Sequence, residues 1–142
     1  MLKNLLLFAL ITLFSAYVFK KEVLDSVAPE SITLIESGIS WNGDSLPNYP
    51  LGKPKISILK ITIPAHSELP LHFHPTINAG ILLTGVLDVI DEHGNLLKMK
   101  AGDPLIEVVN TIHTGKNTGD VPAEIVVFYA GTEGVKITEI VK

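Results

Sequence analysis

His72 and His74 stand two residues apart in Leu71-His-Phe-His-Pro75, within a stretch of apolar, β-prone neighbours. Successive side chains of a β-strand point to opposite faces, so the two imidazoles share one face while Leu71 and Phe73 take the other. Two imidazoles on one strand face can close on a single metal ion if that face looks into a protected cavity. The rest of the chain can be read as the means of building that cavity.

Short β-prone segments separated by turn signals supply it. Lys55 to Ile63 reads as a strand, with Ile56 and Ile58 in one phase and Ile61 and Ile63 in the other. The slip near Leu59-Lys60 predicts a β-bulge or a strand buried on both faces. Pro64 to Pro70 is a turn, and Asn78 to Leu83 resumes as a strand after the break at Pro75. Val86 to Ile90 and Leu96 to Met99 flank Asp91-Glu-His-Gly-Asn95, a β-hairpin with His93 solvated at its tip. Leu105 to Val109 reads as a strand, and Asn110 to Pro122 as a loop carrying His113 and Asn117. Ala123 to Ala130 is the most apolar strand, and Val135 to Val141 closes the chain as another. Upstream, Ser31 to Ile35 reads as a short strand and Trp41-Asn-Gly-Asp44 as a turn. Trp41 and Tyr49 are expected on the outside of a barrel or capping one end. Many short strands with turns between them predict an all-β fold, an antiparallel sandwich, barrel or jelly roll. Residues 22–54 then form lead-in strands and loops, and residues 55–142 the barrel.

Downstream of the pair come Asn78, Gly85, Gly102, His113 and Asn117. With these the sequence resembles the cupin family, small β-barrels (double-stranded β-helices) with two motifs, G-x5-H-x-H-x3,4-E-x6-G and G-x5-P-x-G-x2-H-x3-N. His72, His74 and Gly85 fall on the first, with Asn78 where the family has Glu. Gly102, His113 and Asn117 fall on the second, with Val108 and Asn110 where the family has Pro and Gly. The resemblance covers Ile56 to Gly131. His66 is read as outside the motif spacing and facing solvent.

The resemblance implies that His113 joins His72 and His74 inside the barrel. Neutral ring nitrogens held convergently suit a divalent transition metal: iron, manganese, nickel, copper or zinc. Asn78, in place of the usual carboxylate, is a weak fourth ligand. A site without that anion keeps more of the metal's positive charge and is expected to attract anionic substrates. Some cupins use three histidines for iron, so such a site need not be inactive. Glu107 stands where the family usually has an apolar residue. It is open between a partner fixing a histidine tautomer, a fourth ligand, a general base and a glutamate on the outer face. Asn117 is read as stabilising its loop. The reading that follows is a small-molecule metalloenzyme of oxygenase (including dioxygenase) or isomerase type. The alternative is a non-catalytic module that binds a small ligand or a metal.

The chain has 142 residues, enough for one domain. It has no cysteine, so disulfides, thiolate ligands and cysteine nucleophiles are excluded. Lys3 precedes the apolar run Leu5 to Phe14, as in a signal peptide. Extended to Phe19, that run makes a helix of about 22 Å against a hydrocarbon core of about 30 Å. Residues 1–21 are therefore expected to be a cleaved signal peptide, with an uncleaved short anchor as the alternative. The protein is then periplasmic or secreted, or anchored with its soluble domain outside the cytoplasm. Without Lys3, Lys20 and Lys21 the chain keeps 8 basic against 15 acidic residues, which disfavours a nucleic-acid partner. A homodimer through the Ala123 to Ala130 strand is the protein partner expected.

Overall fold

Alternation of inward and outward side chains builds two facing antiparallel sheets. The computed structural model describes residues 29–142, which form nine strands and, among the described residues, no helix. The strands are β1 (Pro54–Ile63), β2 (His72–Phe73), β3 (Ile77–Thr84), β4 (Val86–Asp91), β5 (Leu96–Lys100), β6 (Pro104–Ile106), β7 (His113–Lys116), β8 (Ala123–Thr132) and β9 (Glu139–Ile140). One sheet has the order β1-β8-β3-β6 and the other β5-β4-β7-β2-β9. The compact unit they belong to spans Leu34–Lys142. The segment expected to be a signal peptide or anchor, residues 1–21, lies outside the described residues.

The inner faces meet in a core of Ile63, Leu82, Leu87, Val89, Met99, Leu105, Ala123, Ile125, Val127 and Tyr129. Burying each large aliphatic side chain stabilises the fold by about 1.5–3 kcal/mol. β8 shows the pattern most clearly. Ala123, Ile125, Val127 and Tyr129 are buried, and Phe128 between the last two is exposed.

The expected bulge or double burial in β1 does not occur. β1 pairs with β8 without interruption from Pro54↔Thr132 to Ile63↔Ala123. Leu59, Ile61 and Ile63 face inward, whereas Ile56 and Ile58 lie on the outer face, 53% and 67% exposed. The phase change in the sequence comes from apolar residues on both faces. The irregularity falls instead in β3, between Leu82 and Thr84 opposite β8. It adjoins Gly85, at φ 76°, where a Cβ would stand 2.9 Å from the Ala123 Cα. Only glycine fits there.

Three further readings need correction. The segment expected as a loop from Asn110 to Pro122 contains β7, which pairs with both β4 and β2. Pairing on two sides outweighs its turn-like composition. The closing strand shrinks to Glu139–Ile140, because β2, its pairing partner, is only two residues long. Ser31 to Ile35 forms no strand. The hairpin of β4 and β5 is present with His93 exposed. The Trp41 turn is closed by the Ile39↔Ser45 bridge and Gly43 at φ 98°. Trp41 is half-buried against the core and its backbone N–H donates to Ile106 O, while Tyr49 is 76% exposed.

Candidate metal centre

β2 lies between β7 and β9, and this sets His72 directly across from His113. His74 follows one residue beyond β2. His72 and His74 are buried, Phe73 between them is half-buried, and Leu71 is exposed, so the alternation expected of the pair holds. The three imidazoles form a triangle with ring centroids 4.4–5.0 Å apart. One nitrogen from each ring lies within 4.8 Å of the other two, so the group could hold a metal ion.

Backbone carbonyls fix the rings. His72 Nδ1 donates to Pro70 O at 2.7 Å, His74 Nδ1 to Ile137 O at 2.8 Å, and His113 Nδ1 to Thr111 O at 2.9 Å. A carbonyl only accepts, so each Nδ1 carries the proton and each Nε2 is left with its lone pair. Outer-sphere bonds of this kind orient metal-binding imidazoles. Burial pushes the His74 pKa down to about 4, aided by the neighbouring His113 and His72 and opposed by the Ile137 hydrogen bond. Burial lowers His72 as well, with His113 adding to the effect. His72 and His74 are thus held neutral, the state a metal requires of its imidazole ligands. The donor set fits a divalent transition metal.

Glu107, just past β6, is buried in the same cavity. Its Oε1 accepts from Trp41 Nε1 at 2.6 Å and from the Val108 N–H at 2.9 Å. Its Oε2 is 3.7 Å from His113 Nε2. Glu107 therefore does not set the His113 tautomer, which Thr111 fixes from the other side of the ring, and it does not lie on the outer face. Asn78 is fully buried in β3 and lines the cavity. Its Nδ2 donates to Thr76 O at 3.3 Å, and its Oδ1 has no hydrogen-bond partner. Asn117 works as a strut: its Nδ2 donates to Ile63 O, Pro64 O and Val121 O, and its Oδ1 accepts from the Gly119 N–H.

The cavity measures about 210 Å³. Leu59, Ile61, Val89, Ile125 and Val127 form much of its wall. A carboxylate, Glu107, stands in the cavity, and no lysine or arginine lines it. Electrostatics thus give less support to anionic substrates than the sequence suggested.

Two participants escaped the sequence reading. Tyr129 packs against His74 with ring centroids 5.4 Å apart, and burial raises its pKa, with Glu107 adding to the rise. Thr138 places its Oγ1 3.1 Å from His74 Nδ1. Strand parity could have found Tyr129, which shares its phase with Ile125 and Val127. No local signal marks Thr138.

A third departure concerns backbone. Asn110, where the second motif has Gly, takes φ 59°, and His66 takes φ 57°. His66 is exposed as expected, but it stands six residues before His72, where the first motif opens with Gly.

Residues 59–129 match the cupin domain model, and the chain belongs to the cupin family. Solved structures agree on the fold. An uncharacterized conserved protein with a double-stranded β-helix domain from Klebsiella pneumoniae superposes with a TM-score of 0.55 at 16% identity, covering 81% of this chain and 99% of that one. The DMSP lyase DddQ from Ruegeria pomeroyi gives 0.53 at 20%, covering 60% and 42%. The oxalate decarboxylase from Lactobacillus farciminis gives 0.53 at 19%, covering 61% and 26%. The chain thus matches less than half of the lyase and about a quarter of the decarboxylase. Comparison with curated proteins returns no match.

Proposed function

We propose that this cupin binds a divalent transition metal through His72, His74 and His113 and acts on a small molecule in the cavity beside them. One observation carries the reading: all three Nδ1 atoms donate to backbone carbonyls, which leaves three Nε2 lone pairs in one buried cluster. The bound metal would supply Lewis acidity toward a substrate oxygen and, if redox-active, one-electron chemistry. Iron, manganese, nickel, copper and zinc all suit the donor set.

Glu107 is the group that takes up or returns a proton. Its Oε1 is pinned by Trp41 and Val108, and its Oε2 is left on the Nε2 side of His113, toward the cavity. The same oxygen is the candidate for a fourth ligand position. Asn78 offers an amide oxygen to metal or substrate. The apolar wall keeps water away from the reacting groups. Oxygenase and isomerase chemistry both fit this set. A DMSP lyase and oxalate decarboxylases among the structural neighbours support small-molecule work on this fold.

The same proposal places the barrel outside the cytoplasm, on the strength of Lys3 and the apolar run that follows it. It also includes a homodimer through the outer face of β1 and β8, where Ile56, Ile58 and Phe128 are exposed.

The test is elemental analysis of the purified full-length protein beside a His72→Ala/His74→Ala variant. Near-stoichiometric metal in the parent, lost in a still-folded variant, is the expected result. An empty parent, even after reconstitution with each of the five metals, would overturn the reading. A product screen on the loaded protein then separates an enzyme from a binder.

A further inference from the structure

The cavity wall is sorted by rows. On one sheet Asn78 pairs with Tyr129, and the Glu107 N–H donates to Asn78 O, which sets these three side by side. On the other sheet His72 pairs with His113. Together they make a polar row. Two residues along β8 the inward position is Val127, opposite Leu59; two further on it is Ile125, opposite Ile61. On the facing sheet Val89 lies opposite Gly115, with Leu87 beyond it. This second region carries hydrocarbon only. From Tyr129 in the polar row to Ile125 at the far end, the wall runs about 13 Å, at about 3.3 Å per residue.

Two chemical facts follow. The wall offers no lysine or arginine, and its acidic side chain is Glu107, so a charge carried by a ligand into the hydrocarbon region would lose its hydration without gaining a partner. In the polar row Asn78 Oδ1 is a buried acceptor without a donor, while its Nδ2 donates to Thr76 O at 3.3 Å. A ligand head that brings an N–H or O–H would satisfy it. The volume, about 210 Å³, equals that of roughly seven water molecules at about 30 Å³ each. A chain of about six carbons with one head group fits it.

We propose that the cavity takes an uncharged small molecule with a single polar, donor-bearing head and a hydrocarbon body. The head lies in the row of His72, His113, Asn78 and Glu107, and the body lies along Val127 and Ile125. The placement of the head against a metal rests on the function proposed above, whereas the placement of the body depends on the wall alone.

The test measures binding by ligand-observed NMR to the full-length protein, once zinc-loaded and once metal-free. The probes are hexanamide, adipamate (the same head with a carboxylate at the far end), hexan-2-one (an acceptor head without a donor) and oxalate. Hexanamide is expected to bind at least about tenfold more tightly than adipamate in both forms, and than oxalate in the metal-free form, where no metal chelates the dianion. Asn78→Leu is expected to weaken hexanamide about three- to tenfold while leaving hexan-2-one, the control for an intact cavity, within about twofold. Adipamate binding as well as hexanamide in either form, or oxalate doing so in the metal-free form, would overturn the inference, as would hexanamide failing to bind either form. An Asn78→Leu variant that keeps full hexanamide affinity would overturn the head assignment. If zinc does not load but metal-free protein prefers hexanamide, the metal reading falls and the wall inference stands. If zinc loads and the preference is reversed, the inference falls alone.

Discussion

The indole N–H of Trp41 donates to Oε1 of Glu107 at 2.6 Å, across 66 residues of sequence. The segment before the barrel thereby holds the cavity's carboxylate in place. A second tie, Ser40 Oγ donating to Glu107 O at 3.0 Å, fixes the same residue from its backbone.

Trp41 is the chain's one tryptophan, so tryptophan emission reports on the surroundings of this side chain. Titration of the metal-free protein with copper(II) or nickel(II) is expected to quench that emission to saturation at one equivalent. Glu107→Gln should alter the emission before metal is added, since it exchanges a carboxylate partner for an amide. Trp41→Phe should cost about 1.5–3 kcal/mol in urea unfolding, the range for a hydrogen bond to a charged group. Emission that ignores metal would mean that Trp41 and the metal do not share a site.

Metal binding should also stabilise the fold, because the three ligands converge only in the native state. A free metal concentration a thousandfold above Kd contributes about 4 kcal/mol by linkage. For a domain of this size that raises Tm by roughly 15 °C. Differential scanning calorimetry with zinc, then with chelator, should show the rise and its reversal. His113→Ala should abolish the zinc effect while leaving a folded barrel of lower Tm.

The metal-free protein should be sensitive to mild acid. The His74 pKa is lowered in the native state to about 4, chiefly by burial, and His72 is lowered too. In the unfolded chain both revert to about 6.5. Between those values the unfolded state binds more protons than the native state, so stability falls as pH drops from about 6.5 toward 4. His74 alone accounts for at most about 3 kcal/mol of that loss, at about 1.36 kcal/mol per pKa unit. Urea midpoints measured from pH 8 to pH 4 should trace the decline, and His74→Gln should flatten it. A profile that His74→Gln leaves unchanged would place the acid-labile group elsewhere.

The histidine pair was legible because strand parity is a local rule: His72 and His74 share a face whatever surrounds them. The β4–β5 hairpin was legible for the same reason, its turn lying in five consecutive residues. His113 was reachable through motif spacing. Its strand was not, because Gly115 and Asn117 read as loop until β4 and β2 are known to flank them. Glu107 stayed open because its place depends on Trp41 and Val108, and the first of these contacts is remote in sequence. The carbonyls of Pro70, Thr111 and Ile137 fix the imidazoles through main-chain atoms that no side-chain pattern encodes. In β1, apolar residues on both faces hid a regular alternation that the uninterrupted pairing with β8 makes plain.

The two residues with left-handed backbone offer the sharpest test of how the motif departures are tolerated. Asn110 and His66 have φ near +60°, a conformation that costs most L-residues about 1–2 kcal/mol and glycine almost nothing. Asparagine is among the side chains that bear it best. Asn110→Gly should therefore change stability by less than about 0.5 kcal/mol, and Asn110→Ala should lower it by about 1 kcal/mol. Asn110 also donates its N–H to His74 O at 2.9 Å, so its backbone is tied to a proposed ligand. Asn110→Ala should accordingly weaken zinc binding severalfold, measured by competition with a chromogenic chelator, whereas Asn110→Gly should not. His66 is exposed, with only a solvent-facing contact to Asp120 at 3.1 Å. Relief of strain should outweigh the extra freedom glycine gives the unfolded chain, and His66→Gly should stabilise by about 0.5 kcal/mol. If His66→Gly instead destabilises as much as Asn110→Ala, the imidazole and its Asp120 contact matter more than the backbone, and the motif departure at this position has a function of its own.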